Sequence, residues 1–268
     1  MSLTNNTRNS VLLLFLLLNI FTCFGQGSVR LTKKKLFFNR ASTHKELGVW
    51  NVSNREQEYT VFLRKSTMDE NGIYKVDTVN VDELDKHIRF FPRSFKIGPG
   101  EIQKVRVQVR DWQGLTKNDN YTHIFVKEAL SFGTGENTTL INKKLGTDVK
   151  VVVEVGIPLI LQKSGIKESN FTINEFELVD NNKFRLGLGR TGDKTKYCKI
   201  KIFHTDPETN KRTNVGTLNN VAVFSNMKKR DILINLTEEI TSGNVEVFII
   251  EDSDSRKAQV YIQENLKV

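Results

Sequence analysis

The chain has 268 residues, of which 26% are charged and 38% hydrophobic, and its formal net charge is +9. Basic and acidic residues are interleaved along the whole sequence, a pattern typical of a solvated surface and only weakly indicative of an acidic partner. The sequence has no motif that combines aromatic and basic residues as nucleic-acid-binding proteins do, so we predict no nucleic-acid partner. Cys23 and Cys198 are the two cysteines. Because Cys23 lies in a predicted export signal, the exported chain has no internal disulfide and must depend on its hydrophobic core.

Residues 1–25 are predicted to be a signal peptide. They carry one charge, Arg8, followed by the apolar run VLLLFLLLNIF at 11–21, which is too short to span a bilayer. Gly25 offers a small residue for cleavage before Gln26, so we expect an exported mature chain. The alternative is a lipoprotein acylated on Cys23, which the larger residues at 20–22 (IFT) disfavour.

Short alternating runs recur about every 10–15 residues and are separated by clusters of Asn, Gly, Asp and Pro, a spacing typical of all-β sandwiches. The predicted strands of the first half are 29–38, 47–52, 59–65, 76–81, 86–91, 102–110, 121–132 and 149–161. Residues 163–169 (KSGIKES) form the best linker, and seven more alternating runs follow. We therefore predict an all-β chain of two immunoglobulin-like sandwiches in tandem, divided as 26–163 and 164–268.

The strand at 149–161 has the clearest alternation. Every second residue is aliphatic, which puts one apolar row on one face of the strand: Val151, Val153, Val155, Ile157, Leu159 and Leu161. Pro158 cannot donate a ladder hydrogen bond, so the strand is expected at a sheet edge or locally bulged. The row either fills the protein's own core or is partly held out for a partner strand.

Signals for an enzyme are weak. His44, His87, His123 and His204 have no partner at a spacing typical of metal or acid–base sites, so we predict no catalytic residue, metal site, cofactor or small-molecule substrate. The string GLGRTG at 187–192 matches a dinucleotide fingerprint, but a strand rather than a helix is expected after it. We interpret that string as a β-hairpin turn.

Three stretches of the first half resemble periplasmic pilus-assembly chaperones of the PapD type. The first is 31–38 (LTKKKLFF) followed by 47–54 (LGVWNVSN). The second and most specific is 91–100 (FPRSFKIGPG), which leads into 103–107 (QKVRV). The third is the alternating strand 149–161 after a long loop.

This resemblance implies a periplasmic chaperone with two sandwiches in a boomerang arrangement. In the family, the last strand of the first domain completes an unfinished pilus or fimbrial subunit by donor-strand complementation. A basic pair grips the subunit's terminal carboxylate; its arginine falls on Lys35, and Lys33 is a substitute candidate. The second basic residue falls near Pro158, where this chain departs from the pattern. The expected partners are such subunits, and an outer-membrane usher is a further candidate.

Two other interpretations of these features stay open. Residues 33–35 (KKK) are equally well explained as a solvated run of charge. The whole chain also fits a non-enzymatic two-domain module for adhesion or scaffolding at the cell surface.

Overall fold

The computed structural model describes residues 29–77, 83–129, 152–252 and 260–267, and every regular element in these ranges is a β-strand. The predicted signal peptide, Cys23 and Val151 lie outside the described residues. Within the described ranges, no helix has the length and apolar character needed to cross a membrane.

The first half of the chain forms two sheets and a small hairpin. One sheet has the order β1-β3-β9-β7, the second has the order β2-β11-β10-β4-β8, and β5 pairs with β6. The strands are β1 (Val29–Leu31), β2 (Leu36–Phe38), β3 (His44–Asn51), β4 (Gln57–Arg64), β5 (Ser66–Met68), β6 (Tyr74–Val76), β7 (Ile88–Phe91), β8 (Ser94–Ile97), β9 (Ile102–Val109), β10 (Asp119–Glu128) and β11 (Glu154–Gln162).

The second half also forms two sheets, with the orders β12-β13-β16 and β15-β14-β17-β18. Its strands are β12 (Asn170–Asp180), β13 (Lys183–Thr191), β14 (Lys196–Thr205), β15 (Arg212–Val223), β16 (Lys229–Asn235), β17 (Asn244–Glu251) and β18 (Val260–Lys267). The predicted division at residues 163 and 164 falls between β11 and β12, and we propose to divide the chain there.

Each half encloses its own apolar core because its strands alternate buried and exposed residues. In β9, Val105, Val107 and Val109 point inward while Lys104 and Arg106 are exposed. The second core includes Phe184, Leu186, Ile200, Ile202 and Val247, all wholly buried. The predicted all-β class with two immunoglobulin-like sandwiches in tandem is confirmed.

Two local predictions were wrong. The opening strand 29–38 is divided, because β1 pairs with β3 in one sheet whereas β2 pairs with β11 in the other. Residues 32–35 cross between the sheets. The GLGRTG string does not form a hairpin turn: its first five residues lie within β13, and the turn begins at Gly192, which has a φ of 82°.

The two halves make direct contact. Ile160 of β11 and Met68 of β5 belong to the second apolar core, although both come from the first half of the chain. Asp119, which is buried at the start of β10, accepts hydrogen bonds from the backbone N and Oγ1 of Thr195 at 2.8 and 2.7 Å. The face of the β11 sheet opposite its own core is thus covered at one end by the second half.

Candidate functional site at the edge of strand β11

Strand β11 is paired unequally on its two edges. One edge pairs with β10 along its whole length, from Glu154 opposite Lys127 to Gln162 opposite Asp119. The other edge pairs in parallel with β2 at Leu159–Leu161 alone. Among the described residues, the edge from Glu154 to Pro158 therefore has no neighbouring strand on this side.

The direction of the backbone groups on that edge follows from the ladder. The carbonyl of Val153 accepts a hydrogen bond from the backbone N of Glu128 at 3.2 Å. Since amide groups alternate in direction along an antiparallel strand, those of Val155 and Ile157 also point toward β10. The amide groups of Glu154 and Gly156 point the opposite way, along the open edge. Among the residues that the structure describes, these outward donors and acceptors have no backbone partner, so a further strand could pair with them.

The predicted binding row is divided between two environments. Ile157, Leu159 and Leu161 belong to the first core and are 6%, 0% and 0% exposed. Val153 and Val155 are half-buried and pack against the margin of the same core. In this arrangement, the only described members of the row with free surface lie at the beginning of the strand.

The opposite face of the sheet carries an aromatic cluster that sequence reasoning missed. The rings of Phe62 and Phe125 stack with centroids 5.8 Å apart, and the Arg64 guanidinium lies 4.7 and 5.2 Å from them. Arg64 also pairs with Glu154 at 2.5 Å. Phe125 lies over Gly156, where a Cβ atom would collide with its ring. Phe62 and Phe125 are 63 residues apart in the sequence, and no local sequence pattern connects them. They meet because the register between β4 and β10 places them opposite each other.

Lys35 lies at the end of the crossing between the two sheets, directly before β2. Its Nζ donates to Asp252 Oδ2 at 2.6 Å and to Asn220 Oδ1 at 2.7 Å, and it lies 4.3 Å from the centroid of the Tyr197 ring. All three partners belong to the second half of the chain. The candidate anchor is therefore engaged by its own protein, and no local sequence signal pointed to these partners.

A groove of about 730 Å³ adjoins this ion pair. Lys33 is exposed there, and Lys34 and Lys45 also line the groove. Pro158, which falls where the family has its second basic residue, is buried. The groove therefore takes its positive charge from the crossing segment and from β3.

Two titratable side chains near β11 have strongly shifted pKa values. Among the described residues, no group of three or more His, Cys, Asp or Glu side chains is placed to hold a metal ion. Burial lowers the pKa of His123 to about 4, so its imidazole is neutral at neutral pH. Burial also raises the pKa of Tyr74 to about 12. These two groups therefore carry no charge at neutral pH, whereas the same contact between the halves also includes the ion pair of Lys35 with Asp252.

No protein-family model matches the chain, and no curated protein matches it. Solved structures similar to it include the YadV chaperone, with a TM-score of 0.48 and 11% identity over 90% of this chain and 100% of that one. The CupB2 chaperone of Pseudomonas aeruginosa has a TM-score of 0.48 and 11% identity, covering 87% of this chain and 98% of its own. The Class 5 fimbriae chaperone CfaA has a TM-score of 0.45 and 13% identity over 87% and 99%. All three are named as chaperones, and at such identities the similarity concerns the fold alone.

Proposed function

We propose that the chain is a periplasmic chaperone that binds unfinished pilus or fimbrial subunits and stabilises them by lending part of β11 as a strand. The observation that supports this most directly is the open edge at Glu154–Pro158. An apolar strand with one unpaired edge is a template for another chain. The sequence resemblance to pilus chaperones favours a subunit that lacks a strand as that chain.

Donation of part of β11 would satisfy two unmet requirements of the subunit, one apolar and one of hydrogen bonding. A subunit that lacks one strand exposes an apolar groove and unpaired backbone groups. The outward amide groups of Glu154 and Gly156 supply main-chain hydrogen bonds, and aliphatic side chains at alternate positions fill pockets. Each buried Val contributes roughly 1.5–3 kcal/mol before ordering costs are subtracted.

The burial of side chains in β11 limits which residues we propose as the donor segment. Leu159 and Leu161 are wholly enclosed in the chaperone's own core, so taking them out would expose apolar surface that folding has already buried. The proposed donor segment therefore comprises Val151, Val153 and Val155, together with the open backbone edge as far as Pro158. The segment would be anchored to the chaperone's own core by the buried side chains of Ile157, Leu159 and Leu161.

Co-expression with fimbrial subunits exported by the same cell tests this function. We expect the wild type to protect a subunit from proteolysis and to elute with it as a one-to-one complex. Val153→Asp combined with Val155→Asp should abolish both effects, because buried carboxylates are strongly disfavoured in an apolar groove. The matched control is Val153→Thr with Val155→Thr, which keeps the side-chain shape and should retain most of the binding.

Three outcomes would contradict the proposal. They are a failure of every subunit to be stabilised, unchanged stabilisation by the folded aspartate variant, and stable display of the chain on the cell surface without any subunit complex. The last result would favour the adhesion or scaffolding module. Circular dichroism of the aspartate variant separates lost binding from lost folding.

Export is part of the same proposal. Removal of residues 1–25 would leave a mature protein that begins at Gln26. The intact mass of the protein from the periplasmic fraction tests this directly. A lipid attached to Cys23 would contradict it and would favour a membrane-anchored module.

A further inference from the structure

The ammonium group of Lys35 is enclosed by three groups from the second half of the chain. Asp252 and Asn220 accept its hydrogen bonds at 2.6 and 2.7 Å, and the Tyr197 ring lies beneath it. The side chains of Lys35 and Asp252 remain 18% and 20% exposed. The pair is therefore shielded from water on one side and open to the groove on the other.

The second half places these groups by means of specific backbone features. Asn220 lies at a register shift in β15, and its φ of 59° is in the left-handed region. Asp252 follows the end of β17, where its backbone N donates to the carbonyl of Tyr197 at 3.3 Å. A left-handed conformation is unfavourable for most residues, although Asn tolerates it better than others. The fold therefore holds the Asn220 side chain beside Lys35 although its backbone conformation is unfavourable.

The rest of the groove holds positive charge without a matching carboxylate. Lys33, Lys34 and Lys45 line it together with Lys35, whereas Asp252 is its one acidic lining residue among those described. Within the described part of the chain, these three lysines make no ion pair with a carboxylate. The positive charge of the groove therefore attracts an incoming carboxylate. The Lys35 ammonium that it would meet is already paired with Asp252.

We infer that Asp252 is a tethered carboxylate that occupies Lys35 in the free protein and gives way to the terminal carboxylate of a bound subunit. This inference rests on the proposed function. Exchanging one carboxylate for another keeps the half-buried ammonium paired, whereas removing a partner without replacement leaves an uncompensated charge. An internal competitor also lowers the apparent affinity for the incoming group and keeps the grip reversible.

Peptide binding to the wild type and to Asp252→Asn tests the exchange. The probes are a synthetic peptide of alternating Val and Thr with a free terminal carboxylate and the same peptide with an amidated terminus. Asp252→Asn should bind the free-carboxylate peptide roughly tenfold more tightly than the wild type, because a charged internal carboxylate no longer competes for the Lys35 ammonium. The amidated peptide should gain nothing.

Two controls isolate Lys35 as the cause. Glu46→Gln makes the same change in net charge on an exposed ion pair with Lys104 at 3.2 Å, outside the groove, and should leave peptide binding unchanged. Adding Lys35→Met to Asp252→Asn should remove the gain. A gain that survives Lys35→Met, or one that Glu46→Gln reproduces, would overturn the inference.

Equal binding of both peptides by Asp252→Asn, or no carboxylate-dependent gain, would show that the ion pair merely fastens the two halves. That result would overturn the inference while subunit protection by the wild type left the proposed function intact. If no subunit is protected, the proposed function fails independently of how the peptides bind.

Discussion

Tyr121 of β10 and Phe224, which directly follows β15, stack across the junction between the two sandwiches with ring centroids 4.2 Å apart and planes inclined by 23°. The Tyr121 hydroxyl also donates to Asn226 Oδ1 at 3.1 Å. Because β10 pairs with β11 along its whole length, this stack joins the strand beside the candidate site to the second sandwich. The stack therefore ties the position of the open edge of β11 to the second sandwich.

Tyr121→Ala should lower the free energy of unfolding by about 2–3 kcal/mol, less than for a completely enclosed aromatic residue, because the ring is half-buried. Tyr121→Phe keeps the stack and removes the hydroxyl bond, so its loss should be about 1 kcal/mol. Urea denaturation followed by fluorescence measures both. Equal losses in the two variants would mean that the ring stack contributes nothing.

Gly156→Ala should displace the Phe125 ring, because a Cβ atom at this position would collide with it. We expect a loss of about 1–3 kcal/mol from overpacking. Combining it with Phe125→Leu should cause less than the sum of the two separate losses, since the smaller side chain removes the collision. Additive losses in thermal denaturation would contradict this explanation of the glycine.

Leu159→Ala should destabilise the protein by about 2–5 kcal/mol, since this side chain is wholly buried in the first core. Val155→Ala should cost less, because Val155 is half-buried at the core margin. The two values come from the same denaturation experiment. A larger loss at Val155 than at Leu159 would contradict the division of the apolar row into a structural part and an accessible part.

Acid should destabilise the contact between the two halves through His123. Burial lowers the pKa of this imidazole from 6.5 to about 4, and neither ring nitrogen has a hydrogen-bond partner among the described residues. Because the unfolded chain takes up the proton at higher pH, stability should be complete above about pH 6.5 and should fall as pH approaches 4, by up to about 3 kcal/mol.

Melting temperatures from pH 4 to pH 8 measure this dependence. His123→Phe should flatten the curve in this interval, whereas the control His44→Gln, which changes an exposed histidine, should retain it. An unchanged slope in His123→Phe would exclude His123 as the titrating group.

Alternating sequence was sufficient to predict the sandwiches and the apolar row of β11. It was not sufficient to predict that Leu159 would be wholly buried and Val155 half-buried, since both lie in the same alternating row. The opening strand was predicted as one because no Gly, Pro, Asn or Asp interrupts LTKKKLFF where the chain crosses between the sheets. Lys35 was singled out from the sequence as a candidate, but it was not predictable that Asp252, 217 residues further along the chain, would lie against it. Such a contact depends on how the two halves pack.

Hydrogen exchange of individual backbone amides in β11 measures strand donation most directly. In the free protein, the amides of Glu154 and Gly156 should exchange quickly, while those of Val155 and Ile157, which point toward β10, should be protected. Adding a fimbrial subunit should slow exchange at Glu154 and Gly156 and leave Val155 and Ile157 as they were. A stable complex in which Glu154 and Gly156 continue to exchange at their free rates would contradict donation of this edge.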